Sequence, residues 1–302
     1  MKRFSAIFAT LLLVVGSLSA QSVEVRFLYG TPHNETEKPV SNEANKVVVR
    51  NYKLTKCTDG MRLVIPKEHI ATEVWCVEVL PSFMKAKKGD DGFWMNARGL
   101  YGLFDKDNGG YRKSKQQMPI YALKRGSTLW WGHVKKWRFD YQHIVRATNG
   151  EYESVLRFRA DGVRNYFDLY DDIVVDYHCL KGADATYVNV AKAYQRYQIE
   201  NSGIKPIKER VKEFPELDYL CNSIVVRIQT HAAKPIADEW TRGEARKKAD
   251  FTPETEWPLE VHMPFGVSEE FVKAIKDSGV DKVTFVSAGW NNGGYDGRTP
   301  QH

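Results

Sequence analysis

The sequence predicts a multidomain protein in which a large antiparallel β-sandwich is followed by the first units of an incomplete (β/α)8 barrel. Short runs rich in Val, Ile, Tyr, Phe and Trp recur between turn residues over 22–183, which is typical of sandwiches and barrels. A helical repeat starts at Asp184, so we expect a helical connector over 184–222. Strand and helix patterns then alternate over 223–302, which predicts a parallel sheet.

The first 21 residues have the features of a secretory signal peptide. Lys2 and Arg3 precede an apolar run from Ile7 to Val15, and small residues are frequent over 16–20. The run is shorter than the roughly 20 apolar residues that a membrane helix needs. We therefore expect residues 1–21 to be cleaved on export to the periplasm, the cell surface or the medium. The mature chain is expected to have no membrane span.

The composition predicts a globular protein and argues against a nucleic-acid partner. Hydrophobic residues make up 42% of the chain and charged residues 27%, and the formal net charge is +6. The basic residues are scattered, with only short groups such as Arg246 to Lys248, whereas nucleic-acid binders concentrate them on one face. The four cysteines are Cys57, Cys76, Cys179 and Cys221. Two disulfides and four free thiols both remain open, because export permits disulfides but the spacing selects no pairing.

Within the β region, a pair of adjacent tryptophans indicates how one strand presents its two faces. Trp130 and Trp131 are adjacent, so they point to opposite faces of a regular strand. One of them is then a core residue, and the other faces outward. Together with Trp137 they could form a glycan-binding row, but packing is the preferred interpretation because tryptophan buries a large apolar area.

The connector should contain two helices. The residues that share one face of the first helix are Tyr187, Val190, Ala191, Tyr194 and Tyr197. Asp184 is the expected N-cap and Gly203 the expected stop. A second, short helix is expected from Pro206 to about Phe214.

Beyond the connector, the pattern is that of β/α units. Strands are expected at 223–229, 259–265 and 282–287, and a helix capped by Ser268 should end at Gly279. One helix and a few strands do not cover both faces of a parallel sheet. Because a complete β/α barrel needs about 250 residues, we expect the barrel to be incomplete within this sequence.

Several stretches together resemble one family. They are Met118–Gly126, Asp172–Leu180, Ala185–Tyr197 and Phe285–Gly297. In order and spacing the chain resembles bacterial glycoside hydrolases related to endo-α-N-acetylgalactosaminidases. The resemblance implies a sandwich similar to galactose mutarotase, a catalytic (β/α)8 barrel and a glycan substrate. It also implies that the catalytic carboxylates lie on later barrel strands, so the catalytic residues in this chain are unknown.

The candidate substrate-binding residues lie at or near the ends of the barrel strands, where barrel enzymes place their sites. Trp290 could stack on a sugar or plug the barrel rim, and Asp296 could bind hydroxyls or stabilise a turn. Asn291 and Asn292 suit hydroxyl recognition, although Asn also forms turns before Gly-Gly. Arg227 falls in a strand expected to be buried, where it orients a ligand or forms a structural ion pair.

Other chemistries have no motif in the sequence. It has no His-Glu-x-x-His pattern, no Gly-x-Ser-x-Gly elbow and no Gly-rich phosphate loop. We therefore expect neither a metal nor a cofactor. The leading hypothesis is the N-terminal portion of a secreted glycoside hydrolase. The alternative is a non-catalytic secreted module that binds carbohydrate or a surface partner.

Overall fold

The contacts of the chain divide it into two units, residues 1–198 and 199–302. A computed structural model describes residues 22–30, 38–96, 101–114, 118–228, 231–233 and 260–290. The expected signal peptide lies outside these residues. Within the described ranges, no helix is long and apolar enough to cross a membrane.

The first unit is built from antiparallel strands. In chain order the described strands are β1 (Ser22–Gly30), β2 (Asn45–Lys53), β3 (Thr55–Cys57), β4 (Gly60–Ile65), β5 (Val74–Pro81), β6 (Lys85–Lys87), β7 (Gly92–Asn96), β8 (Tyr101–Gly102), β9 (Gly109–Ser114), β10 (Ile120–Arg125), β11 (Thr128–Val134), β12 (Tyr141–Thr148), β13 (Glu151–Arg159) and β14 (Ile173–Lys181). They form two sheets of seven described strands each. The first sheet has the order β2-β1-β5-β13-β12-β9, with β6 beside β13. The second has the order β3-β4-β14-β11-β10-β7-β8.

One apolar core lies between the two sheets. Val25 and Phe27 of β1 meet Leu123 of β10 and Val175 of β14 in this core, and all four side chains are buried. Each such side chain contributes about 1.5–3 kcal/mol through burial. Because the two sheets share one core, the first unit is a β-sandwich.

Two helices are attached to the sandwich. They are α1 (Ala160–Arg164) and α2 (Tyr187–Asn201). Val190 and Tyr194 of α2 pack with Trp131 on the outer face of the second sheet, whereas Trp130 packs against the central core. The expected split of the tryptophan pair is therefore confirmed. The expected cap at Asp184 is wrong, because the hydroxyl of Thr186 accepts the N–H of Asn189 at 3.2 Å.

The outer face of the first sheet buries charges. Arg26, Glu78 and Arg157 lie side by side on β1, β5 and β13 in the observed register. Glu78 is fully buried and accepts hydrogen bonds from Arg157 Nε and from Arg146 Nη1, each at 3.0 Å. Burial alone raises the pKa of Glu78, but the two guanidinium groups outweigh it and hold that pKa below its ordinary value. We refer to Arg26, Glu78, Arg146 and Arg157 as the Glu78 cluster.

The second unit combines short helices with two small sheets. Its described elements after α2 are α3 (Ile207–Glu213), α4 (Glu216–Cys221), β15 (Ile224–Ile228), β16 (Ala232–Ala233), β17 (Glu260–Val261), α5 (Phe265–Asp277) and β18 (Val283–Ser287). β15 and β18 pair in parallel, and β16 and β17 pair antiparallel. A parallel strand pair with a helix preceding its second strand is the pattern expected of a β/α unit.

Three details of the second unit differ from expectation. The strand expected over 259–265 is only the short β17, because Pro264 cannot donate a ladder hydrogen bond and α5 starts directly after it. Ser268 lies inside the first turn of α5 and is not its cap. Arg227 is exposed, although it was expected to be buried, because β18 is the one described strand paired with β15.

All four cysteines are free thiols. Cys76 is buried, Cys57 and Cys179 are half-buried, and Cys221 is exposed. Burial raises the pKa of the Cys57 and Cys179 thiols, which keeps both in the unreactive protonated form.

Candidate functional site

The parallel strands of the second unit end at one common edge. Ile228 of β15 pairs with Ser287 of β18, and the carbonyl of Ile228 accepts the N–H of Ala288 at 3.0 Å. Ala288 in turn accepts the N–H of His231 at 3.1 Å, so two segments distant in sequence are joined here. We call Ile228, His231 and residues 287–290 the strand-end edge. Enzymes with parallel sheets place their sites at such carboxyl ends.

His231 is held at this edge by its backbone and its ring. Its carbonyl accepts the N–H groups of His262 at 2.8 Å and of Met263 at 3.0 Å. Its Nδ1 lies 2.8 Å from the carbonyl oxygen of Met263, and its ring centroid lies 5.1 Å from that of Phe265. The side chain is buried, and Nε2 has no hydrogen-bond partner among the described residues. His231 was not predicted from the sequence, because it follows its strand in a polar stretch without a motif.

Trp290 lies two residues beyond Ala288, at the same edge. Gly289 between them has φ 66°, a left-handed conformation that glycine adopts without a steric penalty. The Trp290 side chain is 58% exposed, so its ring is accessible for stacking. Of the other predicted site residues, Arg227 is exposed on β15, one position before Ile228. Asn291, Asn292 and Asp296 lie outside the described residues and stay predictions.

A second group of accessible aromatic rings lies in the sandwich. Trp137, at φ 61°, stacks on Tyr170 with ring centroids 5.3 Å apart, and Tyr170 donates a hydrogen bond to Asp140 at 2.7 Å. These contacts join loop 135–140 to loop 165–172. The exposed aromatic side chains of the two loops are Phe139, Tyr166, Phe167 and Tyr170. We call these two loops the aromatic loops.

A further feature of the described part of the chain is the arrangement of its possible metal ligands. No group of three or more His, Cys, Asp or Glu side chains there is arranged to hold a metal ion. His133 and His143 are buried singly, and burial lowers the pKa of each to about 3. Both are therefore uncharged at neutral pH.

Comparison with known proteins finds similarity in structure but not in sequence. No family model matches the chain, and no curated protein matches its sequence. The ligand-free alpha-N-acetylgalactosaminidase NagBb from Bifidobacterium bifidum matches with a TM-score of 0.52 and 14% identity over 82% of this chain. NagBb in its Gal-NHAc-DNJ complex matches with a TM-score of 0.58 and 13% identity over 85% of this chain.

The chain shares the fold of the part of NagBb that it matches. At this identity the likeness to NagBb concerns the fold alone. The chain spans 45% and 41% of the two NagBb structures, which is less than half of their length.

Proposed function

We propose that the chain is the N-terminal portion of a secreted glycoside hydrolase that acts on glycans. The observation that carries this proposal is the likeness to NagBb over more than four fifths of the chain. Support also comes from the strand-end edge, where the accessible ring of Trp290 suits the face of a sugar. In this proposal β15, α5 and β18 belong to a (β/α)8 barrel, and the strand-end edge contributes to its substrate cleft.

The chemistry of glycoside hydrolysis requires two carboxyl groups on opposite sides of the scissile bond. Their separation is about 5–5.5 Å in retaining enzymes and wider in inverting enzymes. The strand-end edge carries no carboxyl side chain among its residues, Ile228, His231 and 287–290. We therefore propose that this chain positions sugar but does not cleave it, and that both carboxyl groups lie on other strands of the barrel.

A glycan array and a hydrolysis assay test these two statements. The purified chain should bind immobilised glycans that end in α-linked N-acetylgalactosamine, and Trp290→Ala should weaken this binding. Incubation with an aryl α-N-acetylgalactosaminide should release no aryl alcohol. Absence of binding to every glycan on the array would contradict the glycan assignment, and measured turnover would contradict the assignment of the carboxyl groups.

The second candidate is a carbohydrate-binding module that uses the sandwich. The exposed rings of the aromatic loops favour it, because accessible aromatic faces are suitable surfaces for sugars. Tyr166→Ala and Trp290→Ala separate the two candidates on the same array. Loss of binding in Tyr166→Ala alone selects the module, and loss in Trp290→Ala alone selects the strand-end edge.

Export remains part of the proposal and has its own test. The full sequence, including residues 1–21, is produced in a bacterial host, and the protein outside the cytoplasm is analysed by intact mass. We expect a mass that corresponds to cleavage between Ser19 and Ser22. Retention of the uncleaved chain in the cytoplasm would contradict export.

A further inference from the structure

The hydrogen bond between His231 and Met263 fixes the position of the ring proton. A backbone carbonyl only accepts hydrogen bonds, so Nδ1 of His231 must carry a proton and donate it across the 2.8 Å contact. In the uncharged ring, the second nitrogen, Nε2, is then unprotonated and presents a lone pair. The structure therefore assigns donor function to Nδ1 and acceptor function to Nε2.

The acceptor Nε2 is buried and has no partner in the described part of the chain. An unpaired buried polar group destabilises the folded state. The backbone hydrogen bonds of His231 to Ala288, His262 and Met263 hold the residue in place despite this cost. A donor group that displaces the atoms covering Nε2 would complete the hydrogen bonding of the ring.

The lone pair on Nε2 suits either a hydrogen-bond donor, such as a hydroxyl or an amide N–H group, or a metal ion. A metal site needs further ligands, and no cluster of three metal-binding side chains occurs among the described residues. The ring neighbour of His231 is Phe265, and the accessible aromatic side chain at the same edge is Trp290. A nitrogen that accepts a hydrogen bond from a hydroxyl group, together with an aromatic face, suits the binding of a sugar. Sugars present hydroxyl groups at their edges and apolar C–H groups on their faces.

We propose that Nε2 of His231 accepts a hydrogen bond from a carbohydrate hydroxyl at the strand-end edge. This inference rests on the proposed glycan function, and it assigns the hydroxyl-binding role to a specific atom. The Nδ1 donor bond to Met263 orients the ring for that role.

Nitrogen NMR of the full chain tests the assignment directly. Long-range proton–nitrogen spectra of the histidine rings report which nitrogen carries the proton. We expect a protonated Nδ1 and an unprotonated Nε2 in the uncharged ring of His231. Addition of N-acetylgalactosamine should shift the Nε2 resonance as the hydroxyl donates to it, and addition of Zn²⁺ should not. The response of Nε2 to Zn²⁺ but not to the sugar would overturn the proposal.

His231→Asn separates ligand binding from structural support. The Asn amide group occupies a position close to that of Nδ1 and donates to the carbonyl of Met263, but no atom replaces Nε2. We expect the variant to remain folded and to bind N-acetylgalactosamine roughly 2- to 12-fold more weakly, which corresponds to one lost hydrogen bond. His262→Asn is the matched control, because His262 is exposed on the neighbouring segment and should bind the sugar like the wild type.

The outcomes distinguish this inference from the proposed function. If the wild type binds glycans on the array and His231→Asn binds N-acetylgalactosamine equally well, the role of His231 is wrong and the glycan function stands. If the sugar shifts the Trp290 indole resonance but not Nε2, the edge binds sugar without His231. If the sugar shifts no resonance and no glycan on the array is bound, both proposals are wrong.

Discussion

The two units of the chain differ in how completely the side chains of their strands are buried. In the sandwich, all eight residues of β5 are buried, including the charged Glu78. In the second unit, apolar side chains of the parallel strands remain accessible, and Val225 of β15 is 57% exposed. The sandwich therefore completes its own core, whereas side chains on the described strands of the parallel pair remain exposed, although parallel sheets in other proteins are covered on both faces. This difference is expected if the second unit belongs to a larger sheet, as the proposed barrel would provide.

The largest effect should come from breaking the Glu78 cluster. Glu78→Ala leaves the guanidinium groups of Arg146 and Arg157 buried without their shared carboxylate. We expect the free energy of unfolding of the sandwich to fall by about 3–5 kcal/mol in urea denaturation. Glu151→Ala is the control, because Glu151 forms an exposed ion pair with Lys87 and should change stability by about 1 kcal/mol or less. Equal effects of the two variants would show that the Glu78 cluster is not a buried network.

The next effect is a loss of sandwich stability in acid. His143 is fully buried, lies 2.9 Å from the Ser154 hydroxyl, and has a pKa lowered to about 3 by burial. The unfolded chain takes up a proton at this residue below pH about 6.5, and the folded chain does not. The contribution of neutral His143 to the free energy of unfolding is therefore complete above pH about 6.5. It falls by about 1.4 kcal/mol per pH unit as the pH is lowered from about 6.5 to about 3.

His143→Gln tests this slope, since the neutral amide takes up no proton over that range. Urea denaturation of the wild type and the variant is measured at several pH values between 4 and 7, a window that lies above the folded pKa. We expect the stability difference between the two proteins to shrink as the pH falls. A difference that is independent of pH would mean that the pKa of His143 is the same in the folded and the unfolded chain, and would contradict its lowering by burial.

The smallest effects come from one substitution made in both units. Val77 of β5 is fully buried, and Val225 of β15 is largely exposed. Val77→Thr puts a hydroxyl into the core and should cost about 1–3 kcal/mol. Val225→Thr should stay within about 0.5 kcal/mol, because its side chain already meets solvent. A cost above about 1 kcal/mol for Val225→Thr would indicate that β15 is covered in solution, and would remove the contrast between the units.

Local patterns in the sequence predicted the type of most elements, because these patterns reflect local geometry. The β-rich first region and helix α2 follow from alternation and helical spacing. The five-residue helix α1 was missed, since it is too short to show a helical period. Alternation along β1 would place Arg26 toward solvent, but Arg26 is buried beside Glu78 and Glu153. Long-range register determines such pairs, and no local pattern reveals it.

The candidate site was predicted only in part for the same reason. Trp290 could be located from the end of its own strand, because a strand and the loop after it are neighbours in sequence. His231 requires the knowledge that Ala288 lies beside it, and this contact joins segments far apart in the chain. The proton position on its ring depends on Met263, which belongs to a third segment.

Chemical-shift mapping tests the central claim that the strand-end edge binds a sugar. Isotope-labelled full chain is titrated with N-acetylgalactosamine, and backbone and indole resonances are followed for both units. We expect the largest shifts at Ile228, His231, Met263 and residues 287–290. Shifts confined to the aromatic loops, or no shifts at all, would contradict it.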